Sequence, residues 1–290
     1  MRRRTGEGTE CRHAAHPVGK FSNLTISFVR EINMSEDWDF YFCKVDDRPA
    51  SIFVDLGVAR EAPLSSLPVV GYVRVHMHAP REDGLSSQVE FEALTSVEHA
   101  LETLQSDGAV VYVGRNTSDG FRDLYFYLRT AEGWDEYVAG IMKAFPNYQF
   151  ESGTRIDPKW TTYFNFLYPS DEDRERIQNR RTCEVLEKRG DSLEQPRPIN
   201  HWAYFPTPES RRAFVTEAST LGYQLEELID PEGRDESFGA RLSCIGRPSP
   251  GEIDDLTLPL FRAARSYGGD YDGWETQVVS PVPDQNGPAV

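Results

Sequence analysis

The sequence predicts an α+β protein of two domains, each an antiparallel sheet covered by helices. Three observations carry that expectation. Short segments alternating apolar and polar residues in period two recur along the chain. Between them lie runs whose apolar residues fall at helical spacing. At 290 residues the chain also exceeds what one compact core usually needs.

Residues 1–33 lack clear periodicity, and Met34-Ser-Glu-Asp-Trp38 has the character of a protein start. We expect translation to begin at Met34, with the upstream stretch a disordered or misassigned extension. Trp38-Asp-Phe-Tyr-Phe-Cys43 alternates and is rich in aromatics, as a half-buried strand is. Asp46-Asp-Arg-Pro49 supplies a turn, and Ala50–Asp55 the second arm of a hairpin. Gly71–His78 alternates with Val73, Val75 and Met77 on one face. A helix is expected over 89–106, where Phe91, Leu94, Val97, Leu101 and Leu104 recur at helical spacing before Asp107-Gly108 ends it.

The next stretches read as a strand-strand-helix unit met twice. Ala109–Gly114 and Asp123–Leu128 precede a helix through Trp134, Tyr137, Val138 and Ile141. Tyr148–Ser152 and Thr161–Leu167 then precede a helix from Ser170 to about Lys188, with Ser170-x-x-Asp173 as an N-cap arrangement. Two such units in series predict an antiparallel sheet with helices on one face.

Gly190–Pro198 is rich in Gly, Pro and charge, which places the domain boundary there or in the helix before it. The chain so divides into the extension 1–33, an α+β domain at 34–170, a connecting helix and linker at 171–195, a second domain at 196–280 and a disordered tail at 281–290. The second domain reads as strand 199–205, helix 207–221, a hairpin of about 223–230 and 238–246, helix 250–267 and strand 274–279. That order, βαββαβ, is the ferredoxin-like one. Strand 199–205 puts Ile199, His201, Ala203 and Phe205 on one face and Asn200, Trp202 and Tyr204 on the other. Such a sheet leaves one face free of its own helices, and large aromatics there suit a protein-binding patch. The competing expectation is that the other domain or a second subunit covers that face.

The formal net charge is −16, from 47 acidic and 31 basic residues. That sign repels nucleic-acid phosphates and anionic lipid headgroups within a Debye length of ~8–10 Å and favours basic protein partners. No apolar run approaches the ~20 residues of a membrane span, and no apolar stretch follows Met1-Arg-Arg-Arg4 as a secretory signal requires. Cys11, Cys43, Cys183 and Cys244 form no C-x-x-C pair and read as reduced thiols of a cytoplasmic protein.

No catalytic residue is expected, because G-x-S-x-G, Walker and H-E-x-x-H motifs are missing. The acidic pairs Glu226-Glu227, Asp235-Glu236 and Asp254-Asp255 read as solvated. No cofactor or metal is expected either. Asp270-Tyr-Asp272-Gly273 lacks the further oxygen ligands of a calcium loop and reads as a turn feeding the last strand. His76 and His78, on one strand face with Arg74, lack a third ligand.

One further signal lies in the C-terminal third. Pro196-Arg-Pro-Ile-Asn-His-Trp-Ala-Tyr-Phe205, Ala213-Phe214, Gly222-Tyr223 and Gly268-Gly-Asp-Tyr-Asp-Gly-Trp-Glu275 resemble the family of regulators of ribonuclease E activity B, over roughly residues 180–279. The resemblance implies a small acidic α+β protein that binds the endoribonuclease and restrains it without chemistry of its own. Residues 38–168 are similar to an uncharacterised domain that often precedes this one in bacterial proteins, which implies a fold and no activity. The partner surface is then expected to hold His201, Trp202, Tyr204, Asp272 and Trp274. Glu252, Asp254 and Asp255 add negative charge at the start of helix 250–267. The expected partner is a ribonuclease E-type endoribonuclease or another basic protein segment. Two rival readings stand beside this: a single-stranded RNA-binding module using the aromatics as a platform, and a small-molecule-binding or hydrolase N-terminal domain with the C-terminal one as accessory.

Overall fold

The computed structural model describes residues 35, 37–105, 108–231 and 237–279. The expectations for the Met34 start, the 1–33 extension and the 281–290 tail fall outside them.

Six strands form the first sheet: β1 (Trp38–Val45), β2 (Arg48–Asp55), β3 (Val69–His76), β4 (Val110–Ser118), β5 (Phe121–Leu128) and β6 (Phe150–Ile156). Their spatial order is β1-β2-β4-β5-β3-β6, with every pair antiparallel. Where β4 bulges against β5, its backbone also comes unusually close to β2. A Cβ on Gly114 would stand 2.5 Å from the Phe53 carbonyl, so only glycine fits.

Helices α1 (Phe91–Glu102) and α2 (Trp134–Met142) cover one face, burying Leu94, Val97, Leu101 and Val138 against Val73, Val75, Leu124 and Phe126. Phe91, in the first turn of α1, stays exposed, as does Tyr137.

The other face is covered too, contrary to the one-sided expectation. A 3-10 turn at Gly57–Arg60, the segment 157–168 and helix α3 (Asp171–Lys188) lie over it. The cause is residues 161–167, which alternate like a strand but fold as a helical turn, π-type over Tyr163–Leu167. Asp157 starts that turn. Its carboxylate accepts from the Thr161 N–H (2.8 Å), the Thr161 hydroxyl (2.7 Å), the Thr162 N–H (2.8 Å) and the Tyr127 hydroxyl (2.7 Å). Burial disfavours the charged Asp157, yet those bonds outweigh it and hold the carboxyl below its usual range. Trp160 adopts a left-handed φ of 55° and stacks on Tyr127 at 3.8 Å. Tyr163 and Leu167, four apart, are then fully buried. The hairpin expected from 148–152 and 161–167 therefore does not form, and β6 pairs with β3 instead.

The second sheet contains β7 (Arg197–Phe205), β8 (Gln224–Ile229), β9 (Phe238–Gly246) and β10 (Asp270–Thr276), with α4 (Pro208–Thr220) and α5 (Glu252–Ser266) between them. Its order β10-β7-β9-β8, all antiparallel, is the ferredoxin-like arrangement. Asp270-Tyr-Asp272-Gly273 is part of β10 itself, with a bulge between Tyr271 and Gly273, rather than a turn leading into it. Thr207 caps α4 by accepting the Ser210 N–H at 3.1 Å, with Pro208 opening the helix. Phe205, Phe214, Ala218, Leu242, Leu260 and Ala264 fill the space between sheet and helices.

Helix α3 belongs to both cores. Ser170 caps it by accepting the Asp173 N–H, as its sequence predicts. Ile177 enters the first core, while Cys183 and Leu186 pack with Ile199 and Ile253 in the second half. Arg180 and Arg181 both grip Asp39 of β1, the latter from Nε at 2.6 Å. That pairing explains why β1 turns Asp39 inward and leaves Phe42 in solvent.

Candidate functional site

Strand β7 alternates as its sequence dictates. Ile199, His201, Ala203 and Phe205 are buried beneath the helices, and Asn200, Trp202 and Tyr204 are half-buried on the opposite face. Helices α4 and α5 pack on the first of these faces; no described element packs comparably on the second.

Neighbouring strands complete that open face. Across β9, Trp202 stands opposite Arg241 and Tyr204 opposite Gly239. A Cβ on Gly239 would meet the Tyr204 ring at 2.9 Å and Ile229 at 3.0 Å, so glycine lets the phenol lie flat over β9. Across β10, Tyr204 faces Asp270, Trp202 faces Gly273 and Asn200 faces Glu275. From β8, Glu227 pairs with Arg241 at 3.3 Å and Glu226 accepts the Ser243 hydroxyl at 2.6 Å. Ile245 extends the apolar centre and is exposed. The result is an aromatic strip bordered by Glu226, Glu227, Asp270 and Glu275, whose one arginine is already paired.

The other residues singled out in the sequence lie elsewhere. His201 is buried under the helices, with Nδ1 2.8 Å from the Tyr271 hydroxyl and Nε2 3.5 Å from the Cys244 thiol. Burial pushes its pKa down to about 4, so the ring is neutral at pH 7. Trp274 faces α3, where its Nε1–H donates to the Asn179 side-chain oxygen at 2.8 Å. Asp254 accepts from Asn179 at 2.7 Å, Glu252 pairs with Arg247 at 3.2 Å, and Asp255 is exposed. These three acids sit on the helix layer, opposite Trp202. Asp272 stands exposed at the β10 bulge, next to Gly273. Of the residues named in advance, the open face unites Trp202 and Tyr204, with Asp272 at its edge. It adds Arg241, Glu226, Glu227, Asp270 and Glu275, which only the strand register brings together.

In the N-terminal half the buried carboxylates are committed to structure. Glu98 accepts the Tyr112 hydroxyl at 2.8 Å and pairs with Arg115 at 2.6 Å and Arg122 at 3.2 Å. Glu90 accepts the His78 and Ala79 N–H groups at 2.7 and 2.8 Å. The two strand histidines part company, because β3 ends at His76. His76 meets Glu151 at 3.2 Å, whereas His78 stacks on Tyr148 at 4.4 Å. Among the described residues no three His, Cys, Asp or Glu side chains are grouped to hold a metal, and no helix is long and apolar enough to cross a membrane.

Comparison with known proteins divides the chain in the same order. Residues 36–168 match a family of unknown function (DUF695), and residues 176–276 match the family Regulator of ribonuclease activity B. No curated protein matches the chain. Among solved structures, the crystal structure of an unknown protein from Galdieria sulphuraria is similar at 11% identity, covering 72% of this chain and 97% of that one, with a TM-score of 0.19. That score is too low to support any argument. The second family match supports a regulator-type role for residues 176–276.

Proposed function

From that regulator-type domain, we propose that the chain is a non-catalytic cytoplasmic regulator that binds a basic segment of a ribonuclease E-type endoribonuclease through the open face of its second sheet. The observation that carries this reading is the face itself: Trp202 and Tyr204 at the centre, with Glu226, Glu227, Asp270 and Glu275 around them. Aromatic side chains of this size bury ~150–250 Å² each and are the usual anchors of protein interfaces. The acidic border supplies long-range attraction for Arg and Lys, and an incoming guanidinium finds the exposed part of an indole to stack on. The same border repels phosphates, which leaves the single-stranded RNA reading without support from the face.

The test is the affinity of the full chain for a purified ribonuclease E-type enzyme, compared with Trp202→Ala/Tyr204→Ala, at ~50 and ~300 mM salt. The double substitution is expected to weaken binding at least ~30-fold, a loss of ~2 kcal/mol or more typical of an interface centre. Higher salt is expected to weaken the wild type. Equal affinity of the two proteins would move the interface away from this face, and salt-independent binding would remove the electrostatic account.

A further inference from the structure

A cleft of about 380 Å³ opens where the two family matches meet. Its charged lining is three guanidinium groups, Arg60, Arg174 and Arg181, against one carboxylate, Asp37. Two other hollows differ: the one beside α4 sets Glu209 and Glu217 against Arg212 alone. The one between α3 and α5 sets Asp171, Glu172 and Asp173 against Arg176, Arg262 and Arg265, and these acids and bases pair with each other. Arg174 and Arg181 also pair with Asp171 and Asp39 just outside the lining, so what the cleft offers a small anion is free N–H donors rather than net positive charge.

The arginines also retain donors for a ligand. Arg60 touches Asp37 through one nitrogen, at 3.4 Å, and its side chain is 78% exposed. Arg174 is held by Asp171 through one nitrogen and also bonds the Tyr168 hydroxyl, which still leaves donors on a half-exposed side chain. A guanidinium has five N–H donors in a fixed fork that matches two oxygens of a carboxylate or phosphate. Arg181 is more fully engaged, with Asp37 at 2.9 Å and Asp39 at 2.6 Å, and serves as the fixed wall. The rest of the lining includes Leu56, Ala59 and Ile177, the last reaching in from the first core. Guanidinium groups together with aliphatic side chains, in a volume of this size, fit a small organic molecule better than a polymer.

We propose that this cleft binds a small organic oxyanion, a carboxylate or phosphate monoester carrying a short apolar group, and that its occupancy ties the two halves of the chain together. Leu56, Ala59 and Arg60 come from the first matched segment, Ile177 and Arg181 from the second, and Arg174 from the stretch between them. A ligand touching all three stabilises their juncture by mass action. The site is independent of the open sheet face and of the ribonuclease reading.

The test is calorimetric titration of the full chain with phenyl phosphate, benzoate and inorganic phosphate at low ionic strength. At least one organic anion is expected to bind with a Kd below roughly 1 mM, and inorganic phosphate about tenfold more weakly. Which organic anion binds tells the phosphate source from the carboxylate one. Arg60→Gln/Arg174→Gln, at two exposed positions, is expected to keep the melting temperature while weakening the organic anion at least ~10-fold. Trp202→Ala/Tyr204→Ala is expected to bind it as the wild type does. The proposal is overturned by the absence of binding for both organic anions, by unchanged affinity in the arginine variant, or by inorganic phosphate binding as tightly as the organic anions.

Discussion

Asn179→Ala probes the point on which the C-terminal architecture turns. The residue is 1% exposed in α3, and its amide joins three elements. Nδ2 donates to Asp254 and to the Thr257 hydroxyl, each at 2.7 Å, and Oδ1 accepts the Trp274 indole N–H at 2.8 Å. Truncation leaves these partners in different positions. Thr257 still donates to the Ile253 carbonyl at 3.0 Å, and Asp254 is exposed enough for water to replace the amide. Among the described residues the indole N–H of the half-buried Trp274 has no second acceptor. Counting ~1 kcal/mol for each lost bond and something further for the stranded N–H, the loss comes to about 3–4 kcal/mol. Equilibrium urea unfolding followed by tryptophan fluorescence measures it, and a cycle with Trp274→Phe isolates the indole bond. A loss below about 1 kcal/mol, with no coupling in the cycle, would refute the idea that this amide holds α3 to α5 and β10.

Two further predictions concern buried charge. His201 has a pKa lowered from 6.5 to about 4 by burial, so the unfolded chain takes up a proton that the folded one refuses. Its stabilising contribution is complete above about pH 6.5 and is lost as pH falls toward 4, amounting to about 3 kcal/mol over that window. Urea midpoints at pH 7 and 4.5 are expected to differ more in the wild type than in His201→Gln, and equal differences would show that the imidazole takes up its proton as readily in the folded chain as in the unfolded one. Glu98→Gln leaves the buried Arg122 and its neighbour Arg115 without their shared carboxylate. That is expected to cost about 3–5 kcal/mol by thermal or urea unfolding, and a loss under about 1 kcal/mol would mean the cluster relaxes to find water.

The second sheet was legible in the sequence because its strands obey period two and its helices carry separate apolar stripes. β7 shows this best: Phe205 inward and Trp202 outward follow from alternation alone. Residues 161–167 were not legible, since Thr-Thr-Tyr-Phe-Asn-Phe-Leu carries strand-forming aromatics and the deciding interaction is non-local. Tyr127, thirty residues earlier, helps Asp157 to organise the turn. The inward Asp39 was hidden for the same reason, because its partners Arg180 and Arg181 lie some 140 residues away. The acidic border of the open face was only half legible. Glu226-Glu227 looked like any solvated pair until register placed Glu227 beside Arg241, which itself stands opposite Trp202.

Helix α3 is the physical link between the cleft and the open face. Ile177, Gln178 and Arg181 line the cleft, and Asn179 lies among them in the sequence but points to the second domain. Asn179 holds Trp274 of β10, and β10 runs in register with β7, setting Gly273 opposite Trp202. Were a ligand at Arg60 and Arg174 to displace α3, the change would reach the aromatic strip through one side-chain bond and one strand pair. Coupling between two sites demands that each ligand distinguish two arrangements of a shared element, and α3 is the element both would have to distinguish. If the Asn179 amide transmits that displacement, Asn179→Ala loses any effect of the organic anion on partner affinity while leaving the anion's own binding intact. If the effect survives the substitution, the path runs instead through the packing of Cys183 and Leu186 on Ile199, at the start of the same strand.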